Sequence, residues 1–261
     1  SYRQNVVAYP SGGGDYEVAT VNLGPKAGLT VASALLVDYV LTVAVSVSSG
    51  VQNAASSFSF VRGHEAIVAV AIVATLTAMN LRGVRESGTA FAIPTYLFMA
   101  TILGMAGYGF IRQFTGTLPP AESADLTLLP EPGYESLGGL AMAFLLLRSF
   151  SSGCAALTGV EAISNGVPAF KKPKSRNAAT TLLLMGAISV TMLMSMVSLA
   201  RWTGIHYAEE PAVQLAKDGV PVGEGYVQDT VMGQVSKAVF SDFSAGVVLV
   251  SVVTGLILIL A

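Results

Sequence analysis

Polar and apolar positions in this chain fall into long alternating blocks, not into the short periods of a soluble fold. Six stretches are almost continuously apolar: residues 27–49, 66–81, 89–111, 137–163, 177–200 and 243–261. A helix needs about 20 apolar residues to cross the hydrocarbon core of a bilayer. The pattern predicts six membrane-spanning helices, the second short and the last running to residue 261. Pro94 predicts a kink in the third. Residues 1–26 read as a cytoplasmic loop, residues 201–242 as an extracellular segment, and the whole as one partial transporter domain.

Composition removes the main competing reading. Charged residues make up 11% of the chain, against about 25% in soluble domains. A large soluble enzyme with buried helices would need charged faces over its core, and these blocks have none. The single cysteine, Cys154, allows no disulfide framework. No secretory leader is visible, and the opening at Ser1 in a polar stretch suggests a native start further upstream.

Charge supplies an orientation, because short cytoplasmic loops collect Lys and Arg. With the N-terminal segment inside, inner segments hold eight basic residues: Arg3, Lys26, Arg82, Arg85, Lys171, Lys172, Lys174 and Arg176. Outer segments hold five (Arg62, Arg112, Arg201, Lys217, Lys237), and eleven of the 16 acids are outside. The run 171–176 is the strongest anchor, and its role as a topology signal is sufficient; no nucleic-acid partner is expected. The expected setting is a multi-pass protein of a bacterial plasma membrane, with the lipid bilayer as its first partner.

Three ionisable residues lie within the blocks, where a charge costs roughly 2.5–3.5 kcal/mol or more. Asp38 is about 16 Å from either end of its span, near the midplane. Thr42, Ser46 and Ser49 follow at i+4, i+8 and i+11, on one helical stripe bordered by Tyr39. Such a row of oxygens suits a hard cation. The plain alternative is a polar seam between two helices; the carboxylate favours an ion or proton path. Glu161 sits near the cytoplasmic end of the fourth block, one turn after Thr158, in a stretch rich in small residues that suits close packing or local unwinding. It is equally readable as a helix-end carboxylate reaching the interface. Arg148 reads as the structural partner of a carboxylate, or else as part of an outer gate. His64 and His206 sit in outer segments and suggest no metal site. No GxGxxG, P-loop, HExxH or triad pattern appears, so nothing supports an enzyme or a cofactor.

Several stretches resemble a known family. Ala8-Tyr9-Pro10-Ser11-Gly12-Gly13-Gly14-Asp15-Tyr16-Glu17 is similar to the loop after the second span of the amino acid–polyamine–cation (APC) superfamily. Thr158-Gly159-Val160-Glu161-Ala162 resembles its sixth span, and Phe170-Lys171-Lys172-Pro173 with Arg176-Asn177-Ala178 the loop behind it. Residues 234–240 resemble the approach to the eighth span. The resemblance implies an all-α polytopic membrane protein with a LeuT/APC-type inverted-repeat helix bundle, truncated at both ends to spans three to eight. The first and sixth helices of that fold are broken around a central site, so half of the site would lie outside this chain.

Within the superfamily, Asp38-Tyr39-Val40-Leu41-Thr42 and Ser46 are similar to the third span of KUP-type potassium–proton symporters. That resemblance implies that Asp38, Tyr39, Thr42, Ser46 and Thr158 contact potassium or its path, with the ion held at Asp38, Thr42 and Thr158. It also implies Glu161 in proton coupling, and potassium and protons as transported ions rather than cofactors. A permease for amino acids or amines on the same fold is the alternative, although Asp38 would repel a substrate carboxylate. A non-transporting scaffold would not need the intramembrane charges. Homodimerisation, if it occurs, is expected through regions beyond this chain.

Overall fold

The computed structural model describes residues 2–12, 14–55, 58–81, 88–129, 139–154 and 160–260. Helices α1 (Tyr2–Ala8), α2 (Asp15–Leu23), α3 (Pro25–Ala55), α4 (Glu65–Leu81) and α5 (Gly88–Phe114) come first. Strand β1 (Thr127–Leu128) precedes α6 (Gly139–Cys154), α7 (Val160–Asn165) and α8 (Lys174–Trp202). The rest is α9 (Pro211–Gln214), β2 (Leu215–Lys217), β3 (Val220–Pro221), α10 (Val231–Val239) and α11 (Ser244–Leu260). Among the described residues three helices are long and apolar enough to cross a membrane: Pro25–Ala55, Ala92–Phe114 and Lys174–Trp202. Glu65–Ala78, Gly139–Ser151 and Ser244–Ile257 are shorter apolar helices. Their surfaces carry many exposed Leu, Val and Phe side chains, as lipid contact requires.

Contacts divide the chain into two units. The first comprises Ser1–Thr42 and Gly133–Thr191. Its core is Val6 from α1, Val167 from a 3-10 turn, and Ala178, Ala179 and Leu182 from α8, with Tyr2, Ile163 and Phe170 against them. The Tyr2 hydroxyl donates to Asp15 Oδ2 at 3.0 Å, tying α1 to the start of α2. Asp15 and Glu17 sit in the first turn of α2, where carboxylates suit the positive end of the helix dipole. Gly24 makes the corner into α3 at φ +92°, a conformation that L side chains rarely adopt. Gly28 then lets α3 approach Thr20: a Cβ there would stand 2.0 Å from its hydroxyl.

The second unit comprises Val43–Pro132 and Met192–Ala261. Its main core joins Ile102, Met105 and Ala106 of α5 to Leu199 of α8, Val235 and Val239 of α10, and Val250 of α11. Gly109 makes this fit possible, since a Cβ there would meet Leu199 at 2.7 Å and Val239 at 3.0 Å. A second cluster packs Val47, Val51 and Ala55 of α3 with Val61, against Val68, Ile72 and Val73. Residues 201–242 are not featureless loop. Strands β1, β2 and β3 form a small antiparallel sheet, with Thr127 opposite Ala216 and Lys217 opposite Val220. It covers a minor cluster of Leu126, Ala208 and Leu215. The fold is therefore all-α in its apolar body, with short strands added where the chain leaves it.

Candidate functional site

Helix α3 carries four of the expected ion-path residues, Asp38, Tyr39, Thr42 and Ser46. Asp38 is exposed, and Thr42, Ser46 and Ser49 on the same stripe are half-buried. Among the described residues no basic group lies in ion-pair contact with Asp38. Tyr39, 44% exposed, points its hydroxyl at α7: Asn165 Nδ2 donates to it at 3.2 Å. Asn165 belongs to the same short helix as Glu161 and lies one turn after it. Within the first unit, the α3 aromatic beside Asp38 is thus bonded to the segment singled out for Glu161. Thr158 lies outside the described residues, and so does the side chain of Glu161.

Asn165 has a second contact that the sequence did not single out as functional. A Cβ on Gly14 would stand 1.5 Å from Asn165 Oδ1. Gly14 precedes α2 in the glycine-rich stretch at the start of the chain. Only a residue without a side chain lets that backbone press against the Asn165 amide. Gly14 therefore helps position Asn165, whose amide in turn bonds the Tyr39 hydroxyl.

The polar stripe of α3 continues beyond the apolar block. Asn53 follows Ser46 by seven residues, about 20° away around the helix, and is 3% exposed. Its Nδ2 donates to the Ser251 carbonyl at 3.2 Å, and its Oδ1 accepts from Thr230 Oγ1 at 3.3 Å. Thr230 also caps α10 by accepting from Gly233 N. The C-terminal end of α3 is in this way tied to both α10 and α11.

Around this tie the second unit holds a polar network. Asp229, 6% exposed, accepts from Arg62 Nη2 at 3.4 Å and from Lys237. Lys237 also reaches Glu122 at 3.3 Å. Burial alone would lower the Lys237 ammonium, but the hydrogen bond and charge of Asp229, joined by Glu122, hold it above the usual lysine range. Burial raises the Tyr226 phenol, and the charges of Glu122 and Asp229 push it the same way. Fully buried Ser123 donates to Gln234 Oε1 at 2.5 Å and accepts from His206 N at 3.0 Å. A cavity of about 620 Å³ opens beside the network, lined by Gln52, Arg62, Glu65, Tyr226, Asp229 and Thr230 among others. Arg112, 7% exposed, donates to the Val239 and Thr117 carbonyls and pairs with Asp242 at 3.1 Å. Arg148 sits on α6. Among the described residues no group of three His, Cys, Asp or Glu is placed to hold a metal.

Two comparisons with known proteins bear on this arrangement. Residues 5–261 match the family model described as amino acid permease. The potassium transporter KimA of Bacillus subtilis (strain 168) is 44% identical over 200 residues, 77% of this chain and 32% of that protein. The chain thus spans about a third of the length of this curated relative. With nearly every residue inside the matched region, the chain belongs to the amino acid permease family.

Proposed function

We propose that the protein containing this chain takes up potassium together with protons, by alternating access across a bacterial plasma membrane. The observation that carries this reading is the stripe on α3, a carboxylate and successive hydroxyls on one face of an apolar helix. Asp38, Thr42 and Thr158 would replace part of the ion's water with hard oxygens. Tyr39 and Ser46 would line its path. Glu161 would carry the coupled proton. One charge crossing the membrane is worth about 2.3 kcal/mol per 100 mV, which is enough to drive accumulation. The similarity to a protein named as a potassium transporter supports the choice of ion.

The family description favours a second reading, a permease for amino acids or amines. In that case Asp38 would face a substrate ammonium. Growth separates the two. The full-length protein should rescue a bacterium without its own potassium importers at limiting potassium, and Asp38→Asn should abolish the rescue. Failure of the wild-type protein to rescue, with the protein shown to be in the membrane, would move the assignment to an amine substrate.

A further inference from the structure

A second cavity, of about 800 Å³, lies in the first unit at the start of α8. Its charged lining is all of one sign: Arg3 from α1, with Lys172, Lys174 and Arg176 from the loop and first turn of α8. Val7, Pro10 and Ala179 give it an apolar wall. Lys174 Nζ donates to the Pro168 carbonyl at 2.6 Å. Among the described residues no carboxylate pairs with any of the four cations.

A topology signal depends on how many basic residues a short loop holds. It does not require Arg3, 169 positions before Lys172 in the sequence, to converge on the same hollow. Bringing like charges together raises the cost of each, and an anion in the hollow offsets it. The position selects the anion. The cavity opens where the span α8 begins, and exposed Leu183 and Leu184 continue along that helix. A charged hollow with an apolar exit along a span fits a lipid, with its phosphate among the cations and its chains against the helix.

We infer that the Arg3–Lys172–Lys174–Arg176 hollow binds the phosphate of an anionic phospholipid of the cytoplasmic leaflet. The inference rests on the membrane placement of α8 and is independent of which ion is transported.

The test is retention of phosphatidylglycerol against phosphatidylcholine by the full-length protein in detergent, measured by native mass spectrometry. The wild-type protein should prefer phosphatidylglycerol. Arg3→Gln with Arg176→Gln should weaken that preference by about 30-fold, from about 1 kcal/mol for each basic residue near an anionic surface. Arg3→Lys with Arg176→Lys should retain most of it, which separates charge from folding. Arg201→Gln with Lys217→Gln, an equal loss of charge elsewhere, should leave it unchanged. Equal retention of both lipids by the wild-type protein, or an unchanged preference in the Gln pair, overturns the inference. So does displacement of the lipid by millimolar inorganic phosphate, which would assign the hollow to a soluble phosphate.

Discussion

Two carboxylates, Asp229 in the second unit and Asp38 in the first, are treated in opposite ways. In the second, buried polar side chains answer one another: Arg112 meets carbonyls and Asp242, Asp229 meets Arg62 and Lys237, and Ser123 meets Gln234 and His206. In the first, Asp38 stands exposed on α3, with the Thr42 hydroxyl one turn further on. A buried polar group that serves structure must be satisfied by the protein itself, because leaving it unpaired costs about 1–3 kcal/mol. A group that serves transport must keep capacity for its cargo. The contrast separates residues that hold the polar cap of the second unit together from residues that the proposed function assigns to an ion.

The sharpest way to break this contrast is to exchange loss of function for loss of stability. Asp38→Asn should abolish uptake and leave the unfolding temperature of the purified protein within a degree or two of wild type, since the carboxylate has no basic partner among the described residues. A large drop in that temperature would make Asp38 structural. Arg112→Leu should do the reverse. It leaves the Val239 and Thr117 carbonyls without their donor and should cost about 2–3 kcal/mol, with the Asp242 pair adding little because that carboxylate is largely exposed. Thermal unfolding measures the loss; an unchanged midpoint would contradict the account of the cap.

Gly14→Ala is a subtler probe. Its methyl group would push the Asn165 amide aside and break the bond to Tyr39, worth about 1 kcal/mol. Uptake should fall about fivefold, with the protein still folded. Asn165→Ala should reproduce the fall, and no change in either variant would remove Asn165 from the account. The smallest effect is that of alkali. Lys237 and Tyr226 both have folded values above their ordinary ones. Their contribution to stability is complete below about pH 10 and is lost as the pH rises through the folded values. Unfolding followed between pH 8 and pH 11 should show a decline confined to the alkaline end, and Lys237→Met should flatten it.

How much of this was legible beforehand depended on sequence distance. Apolar block length was enough for an all-α membrane protein, because lipid leaves a spanning chain few options. The row Asp38, Thr42, Ser46 was legible because helical spacing alone places it. Asn53 was missed because it falls past the apolar block, in the part of α3 that continues to Ala55. Ser123–Gln234 and Arg62–Asp229 join positions 111 and 167 residues apart, and no local period reports such a pair. Asp229 lay in an acidic outer segment, which reads as a solvated surface until the fold buries it. The Gly14–Asn165 contact left one local trace, the run of glycines, which marks close backbone approach without naming the partner.

The most direct test of the central claim is ion binding by the intact protein. Thermal unfolding of the full-length protein would be followed while potassium replaces a bulky organic cation at constant ionic strength, for the wild-type protein and for Asp38→Asn. The account predicts stabilisation by potassium that saturates in the wild-type protein and vanishes in the variant, because a ligand that binds only the folded state raises its stability. Equal stabilisation of both proteins would contradict it and move the ion site off α3.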